Sequence, residues 1–317
     1  MSRNWDGEFQ LAPASADASF RSYWRITGEN RQLILMDAPP DREDCRPFVS
    51  VARRLRDAGL HAPEILVADL DQGFLLLEDL GSRLYSDALV EASRDKVETL
   101  YQDALSALAH IQRIDPRGLP PYDNALLDQE MELFPQWLLQ RHLRRPLSSG
   151  EQIEWNLLKR ELIASALDQP RVFVHRDYHC RNLMVVSRHN PGIMDFQDAM
   201  HGPVTYDLVS LLRDCYVTWP QDRVSVWCEQ FRRQQQPDIS AEQWQRWFDL
   251  MGFQRHLKAA GIFCRLNHRD GKDGYLKDIP RTLNYTRQVC RLYPQFSWFD
   301  ELLDEVLPRL EPGSAPG

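Results

Sequence analysis

The 317-residue sequence lacks several features that would place it in a class at once. Its six cysteines, Cys45, Cys180, Cys215, Cys228, Cys264 and Cys290, are scattered and form no CxxC pair. They read as free thiols in a reducing compartment. No run of about 18 apolar residues occurs, so no membrane span is expected. The opening "MSRNWDGEFQ" has no apolar core of a secretory leader, and cytoplasmic residence is the expectation. An excess of positive charge is also missing. The net charge of −8 leaves no basic footprint for nucleic acid, although a local site for a small charged ligand can oppose that sign. There is no internal repeat, and the only low-complexity stretch is the tail "EPGSAPG", for which disorder over residues 311–317 is expected.

What is present is ordinary for a globular chain: 43% apolar and 26% charged residues, with nine tryptophans and twenty prolines. The length suits one large domain or two smaller lobes. "WDGEFQL" is a first strand candidate, and "APASADAS" has the composition of a flexible loop. "SFRSYWRI" and "RQLILMDAP" are β-prone runs separated by the turn signal "TGEN". "FVSVARRLRDAGL" carries a helical stripe through Val49, Val51, Ala52, Leu55 and Ala58 that ends at Gly59. "PEILVADLDQGFLLLEDLG" reads as two strands around "LDQG". Roughly five strands and one helix are thus expected by Gly81.

After Gly81 the period changes. "SRDKVETLYQDALSALAHIQRI" has its apolar residues at helical spacing, as do "DQEMELFPQWLLQRHL" and "EQIEWNLLKRELIASAL". The chain is helical again from about Tyr206 to Leu310. The expectation is an α+β chain with a β-rich lobe at 1–80 and a mostly helical lobe at 81–310.

One run, "VHRDYHCRNLMV" at 174–185, concentrates reactive side chains. On a helix, His175 and His179 would share a face, an arrangement familiar from zinc sites. The flanks "RVFV" and "LMVV" are β-branched and apolar, so the polar run is a loop between strands and the helical spacing loses its meaning. After a Pro-Gly turn, "PGIMDFQDA" places Asp195 at the end of a further strand. A β-hairpin would bring Asn182 and Asp195 together, and their oxygen atoms suit a hard cation such as Mg²⁺. Asp177 lies near them in sequence and need not bind metal. Aspartates in such loops are often mere turn formers or helix caps. Here HRD, the asparagine five residues after Asp177, the β flanks and the second aspartate occur together, which matches the parts of a phosphoryl-transfer site.

With those residues in view, the chain resembles the aminoglycoside phosphotransferase and choline kinase superfamily, which has a protein-kinase-like bilobal fold. "VHRDYHCRNLMV" looks like its catalytic loop, "IMDFQDA" like its metal-binding segment, and "LLLEDLG" like its hinge. The resemblance implies ATP and Mg²⁺, with Asp177 as base and Asn182 and Asp195 as metal ligands. It also implies adenine at the backbone of Glu78 and Leu80, and phosphates under the loop Ser19, Phe20, Arg21 and Ser22. In "GPVTYDLVSLLRD", Asp207 would buttress the catalytic loop, and His175 would shape it. "LILMDAPP" and "QRHLKAAGIFCRLNHRDGKDGYLKDIPR" are similar, more narrowly, to bacterial cell-wall-recycling kinases of the anomeric hydroxyl of N-acetylmuramate and N-acetylglucosamine.

The chain departs from the wider family at Met36, where the third strand usually carries a lysine, and the following helix offers only Asp57 as an acid. The lysine–glutamate pair is therefore expected to be lost as a unit. Arg21 could contribute to phosphate binding from its loop, or be an ordinary strand residue. The sugar contacts implied are His179, Arg213, Asp214, Tyr216, Arg265, Asn267 and Tyr275, each of which packing or solvent could equally explain. An amino-alcohol or aminoglycoside kinase, and a catalytically silent nucleotide-binding regulator, are the alternatives. Retention of Asp177, Asn182 and Asp195 speaks against the silent form. A monomer acting on a small molecule, without nucleic acid or membrane, is the expected state.

Overall fold

The computed structural model describes residues 9–16, 20–29 and 31–310. These form two compact units, one from the described residues up to 114 with 181–199, the other from 115–180 with 200–310. The expected disordered tail at 311–317 lies outside the described residues, as does most of "WDGEFQL".

The first unit is built on an antiparallel sheet in the order β1-β2-β3-β5-β4. Its strands are β1 (Gln10–Ala16), β2 (Ser22–Thr27), β3 (Gln32–Asp37), β4 (Ile65–Asp69) and β5 (Phe74–Glu78). β1 runs through most of the stretch whose small polar composition suggested a loop. It is an edge strand, and its register against β2 slips between Pro13 and Ser15, where a proline without an N–H is tolerated. Helix α1 (Arg46–Asp57) buries Phe48, Val51, Ala52 and Leu55. Gly59 ends it at φ +78°, with its N–H on the Arg56 carbonyl and that of Leu60 on the Leu55 carbonyl. This is the hydrogen-bond pattern of a Schellman stop, and the left-handed residue in it favours glycine.

The same unit holds α2 (Tyr85–Val90), α3 (Arg94–Ile111, capped by the Ser93 side chain) and a short hairpin. That hairpin pairs β7 (Leu183–Met184) with β8 (Gly192–Ile193). It is tied to the sheet side of the unit by Ile193 N–H to the His61 carbonyl, 2.9 Å. Asn190 in its turn donates to Tyr85 Oη at 2.6 Å and to Asp103 at 2.7 Å. The strand-rich elements end at β5, and the elements that follow are mainly helical.

The second unit is mostly helical. It contains α4 (Asn124–Met131), a π-helical segment Phe134–His142 and α5 (Ser149–Leu167). β6 (Arg171–Val174) pairs with β9 (Met200–Pro203), and α6 (Tyr206–Leu212) and α7 (Gln221–Gln235) follow. Its axis is α8 (Ala241–Asp270), 30 residues long and buried on most sides. Gly261 lets α8 approach the backbone of Leu133: a Cβ there would lie 2.4 Å from the Leu133 carbonyl carbon. Helices α9 (Ile279–Leu292) and α10 (Ser297–Val306) close the unit. No helix among the described residues is long and apolar enough to cross a membrane.

Candidate active site

The loop after β6 is shaped by two aspartates from α6 and its exit. Asp207 is 1% exposed and accepts from the N–H groups of His175 (2.6 Å) and Arg176 (2.9 Å). Arg176 sits at φ +85°, a conformation that costs a non-glycine residue roughly 1–3 kcal/mol and persists where the surroundings hold it. Asp214 accepts from Cys180 N–H at 2.9 Å and from Tyr216 N–H at 2.8 Å. The two carboxylates, seven residues apart, thereby hold the loop at its start and its end. Asp177 lies between these braces. Its N–H donates to His175 Nδ1 at 3.3 Å, and its carbonyl accepts from His179 N–H at 3.1 Å. The buried His175 ring meets Tyr178 edge-on at 5.5 Å.

Cations dominate the electrostatics around Asp177. Burial opposes its ionisation, but Lys258, His179, Arg255 and Arg176 together outweigh burial and hold the carboxyl below its ordinary value. Two of these cations belong to a buried network. Glu130, on α4, accepts from Arg176 at 2.6 Å and pairs with Lys258 at 3.0 Å. Tyr122 donates its hydroxyl to the same carboxylate, and Gln254 donates to Tyr122 Oη at 3.2 Å. Lys258 also donates to Tyr206 Oη at 3.0 Å. Asp207 stands differently: burial pushes its carboxyl up to about 7, although the two backbone donors favour the charged form.

Glu130, Arg255 and Lys258 were not singled out from the sequence. The signal existed in "MGFQRHLKAAGIFC", where Gln254, Arg255 and Lys258 interrupt an apolar helix at spacings that share a face. Glu130 had no such signal, since its partners lie 46 and 128 residues away.

Asn182 and Asp195 belong to the first unit, at the end of the β7–β8 hairpin. The hairpin is closed by Met194 N–H to the Asn182 carbonyl at 3.0 Å. Asn182 Nδ2 donates to Asp195 Oδ2 at 3.1 Å, and Gln197 Nε2 donates to Oδ1 at 2.9 Å. Asp195 has φ +57°, and the next residue, Phe196, is buried against Phe48 of α1 at 4.8 Å between ring centroids. The aromatic contact anchors the turn that aims the carboxylate. The Asn182 amide, whose NH₂ faces Asp195, and the Asp195 carboxylate both carry oxygens of the kind Mg²⁺ takes beside its water and phosphate ligands. These are the residues that would hold the metal.

The residues assigned to the nucleotide are also in the first unit, except that Ser19 lies outside the described residues. Phe20 is 60% exposed, under the Arg42 guanidinium at 4.9 Å. Ser22 Oγ accepts from Trp24 Nε1 at 3.3 Å. Met36 is wholly buried. The N–H of Glu78 is bonded to the Glu64 carbonyl at 2.9 Å, and its carboxylate takes His61 Nε2 at 3.0 Å. Leu80 is half-buried and follows Asp79, whose carboxylate is forked by Arg25 at 2.6 and 3.2 Å. Met36 brings no charge to β3; a different ion pair lies in this unit, Arg21 with Glu43 at 3.4 Å, its acid supplied ahead of α1.

The expected sugar contacts fall into two groups. Arg213 is 2% exposed and bonded to buried Asp249 at 2.6 Å, and Asp214 commits both oxygens to backbone as described. Both are buried and hold other parts of the unit in place. The others line up differently. The His179 ring packs edge-on against Tyr216 at 5.2 Å, Tyr216 lies 6.1 Å from Phe263, and Phe263 stacks on Tyr275 at 5.6 Å. This aromatic row begins two residues from Asp177. Arg265 is half-buried, and burial and Arg269 lower its pKa. Asn267 lies in the last turn of α8, its carbonyl accepting from Gly271 N–H at 3.2 Å.

Known proteins place this geometry in context. The model of the phosphotransferase enzyme family matches residues 10–248. An N-acetylmuramate/N-acetylglucosamine kinase of Pseudomonas aeruginosa is 49% identical over 300 residues, covering 93% of this chain and 88% of its own. Its namesake in Pseudomonas putida is 45% identical over 302 residues, with the same coverage. The crystal structure of a choline kinase from Streptococcus pneumoniae superposes with a TM-score of 0.61 at 14% identity, covering 89% of this chain and 94% of its own, a likeness of fold. The small antiparallel-sheet lobe and the mostly helical lobe are thus those of the protein-kinase-like fold, and the chain belongs to the phosphotransferase enzyme family.

Proposed function

We propose that the chain is an ATP- and Mg²⁺-dependent sugar kinase. It transfers the γ-phosphoryl group to the anomeric hydroxyl of N-acetylmuramate and N-acetylglucosamine, giving the sugar 1-phosphate and ADP, in the reuse of cell-wall material. The choice of sugar is carried by one observation: 49% identity, over 93% of the chain, to a kinase named for those two sugars. The phosphoryl-transfer part is supported by Asp177 in its braced loop and by the Asn182–Asp195 contact.

Bound Mg²⁺ would neutralise charge on the phosphates as they separate. The chain's own residues have simpler tasks. Asn182 and Asp195 hold the metal. Glu78 and Leu80 offer backbone to adenine, although the Glu78 N–H is itself bonded to the Glu64 carbonyl. Asp177 orients the sugar hydroxyl and takes its proton as the new O–P bond forms and the bond between the β- and γ-phosphates breaks. A carboxylate held below its ordinary pKa is a weak base. It suffices for an anomeric hydroxyl, more acidic than an ordinary alcohol, and for a transition state that asks for little bond formation before the proton leaves. The aromatic row from His179 to Tyr275 offers flat apolar surface to a pyranose ring.

The reading is tested by ADP release with N-acetylmuramate, N-acetylglucosamine, choline and an aminoglycoside, with phosphorus NMR locating the new phosphate. Turnover of the two amino sugars at the anomeric position is expected. Turnover of choline or the aminoglycoside alone would replace the substrate, and ATP binding without any turnover would make the chain a regulator.

A further inference from the structure

We propose that Arg21 is the side-chain cation that contacts the β- and γ-phosphates of ATP, and that Glu43 is the positioning residue that aims it. The inference rests on the nucleotide part of the proposed function and not on the sugar.

Position 36 on β3 can supply no charge. Met36 is wholly buried, and its cross-strand partners are Tyr23 on β2 and Leu75 on β5. Arg21 stands two residues before Tyr23. Arg21 directly precedes β2, and the alternation of the strand, carried one residue back from Ser22, puts it on the face that carries Met36. The neighbouring strand therefore delivers a cation to the side of the sheet where β3 delivers a thioether.

The acid is relocated as well. Glu43 lies before α1, its N–H on the Pro39 carbonyl at 2.9 Å. Its Oε2 contacts Nε and a terminal nitrogen of Arg21, both at 3.4 Å, and its Oε1 accepts from Phe20 N–H at 3.2 Å. One carboxylate thus holds the guanidinium and the backbone of the loop beside it. The Arg21 and Glu43 side chains are 11% and 17% exposed, so the pair is largely withdrawn from water and its orientation is restricted. The 3.4 Å contacts are longer than the about 2.8 Å of a tight charge-assisted pair. The contact with Glu43 sets the direction of the guanidinium, whose planar fork suits a phosphate.

The rest of the nucleotide set makes this cation necessary. Among its described members, Phe20, Ser22, Met36, Glu78, Leu80, Asn182 and Asp195, none is basic. Without Arg21, this set would present the β- and γ-phosphates with the Asp195 carboxylate and no basic side chain.

The test is titration calorimetry of the full chain with MgATP and, separately, with AMP, which lacks the two phosphates in question. Arg21→Met should weaken MgATP about ten- to a hundredfold, the worth of one charge-assisted contact, and leave AMP within about twofold. Arg21→Lys should restore part of the loss, because it keeps the charge without the fork. Glu43→Gln should weaken MgATP by a smaller factor and leave AMP unchanged. Equal losses for MgATP and AMP in Arg21→Met would show a merely structural arginine and overturn the proposal, as would an unchanged MgATP affinity. A wild-type chain that binds MgATP yet turns over no amino sugar would refute the sugar reading and leave this one standing.

Discussion

Asp207→Asn separates the two forces on the brace of the catalytic loop. Asp207 accepts from two backbone N–H groups with two different oxygens, and asparagine offers only one oxygen. Its amide NH₂ would face a donor, leaving one buried N–H unsatisfied at about 1–3 kcal/mol. Against this stands the cost of charge. Burial raises the Asp207 carboxyl to about 7, so the folded chain holds the proton more tightly than the unfolded chain, where the value is about 3.9. Between these values the native state binds more protons, and the stability that Asp207 contributes falls as pH rises. Integrated from pH 5 to pH 8, the decline is roughly 2–3 kcal/mol. Asparagine does not titrate and shows none of it.

The measurable quantity is therefore the difference between wild type and Asp207→Asn in urea unfolding at pH 5, 6, 7 and 8, where all other titrating groups cancel. Wild type should be the more stable at pH 5, and the gap should narrow by roughly 2–3 kcal/mol by pH 8. Turnover should be impaired throughout, because the amide cannot hold both His175 and Arg176. Parallel stability curves would refute the reasoning, since they would mean that Asp207 ionises in the fold as readily as outside it. A gap that widens with pH would mean that the two backbone donors outweigh burial.

Asp177→Asn should nearly abolish phosphoryl transfer while leaving MgATP affinity within about twofold, read by calorimetry beside a turnover assay. Asn182→Ala should raise the Mg²⁺ concentration needed for half-maximal turnover, with little change in AMP binding. Glu130→Gln leaves Arg176 and Lys258 buried without their counter-charge and should cost about 3–5 kcal/mol in denaturant unfolding. Gly261→Ala drives a methyl to 2.5 Å from the Leu133 carbonyl oxygen and should cost about 3 kcal/mol, seen as a lowered melting temperature.

The parts of the site visible in the sequence are those whose geometry is local. "HRDYHCRN" and "IMDFQD" sit at the ends of short apolar runs, and a two-strand hairpin converts their spacing into the Asn182–Asp195 contact. Asp207 came from the resemblance of "GPVTYDLVSLLRD" to the family's segment after the metal-binding strand. Illegible parts depend on contacts at long separation. Glu43 reaches 22 residues back to Arg21, and nothing in "DREDCRPF" distinguishes it from Asp41 or Asp44. Arg213 looked available because it is charged and near Asp207, yet Asp249, 36 residues on, makes burial tolerable. β1 was hidden for another reason: its small residues have weak strand propensity, and pairing with β2 overrides it.

The charges also follow a division of labour. In the first unit the residues assigned to nucleotide and metal are acidic or neutral apart from Arg21, which suits a site whose ligand arrives with its own divalent cation. Around Asp177 the balance is reversed, with Lys258, Arg255 and Arg176 acting on one carboxylate. If raising basicity were the aim, these cations would be misplaced, since each makes Asp177 a poorer proton acceptor. Their placement fits a different requirement. In the proposed reaction the carboxylate must stay ionised although largely enclosed, against the upward push that phosphate charge exerts on its pKa. Glu130 limits the excess by neutralising part of it on the side away from solvent. The arrangement keeps Asp177 charged at the expense of base strength, a trade open to an enzyme whose acceptor hydroxyl is already acidic and less so to one that phosphorylates an ordinary alcohol.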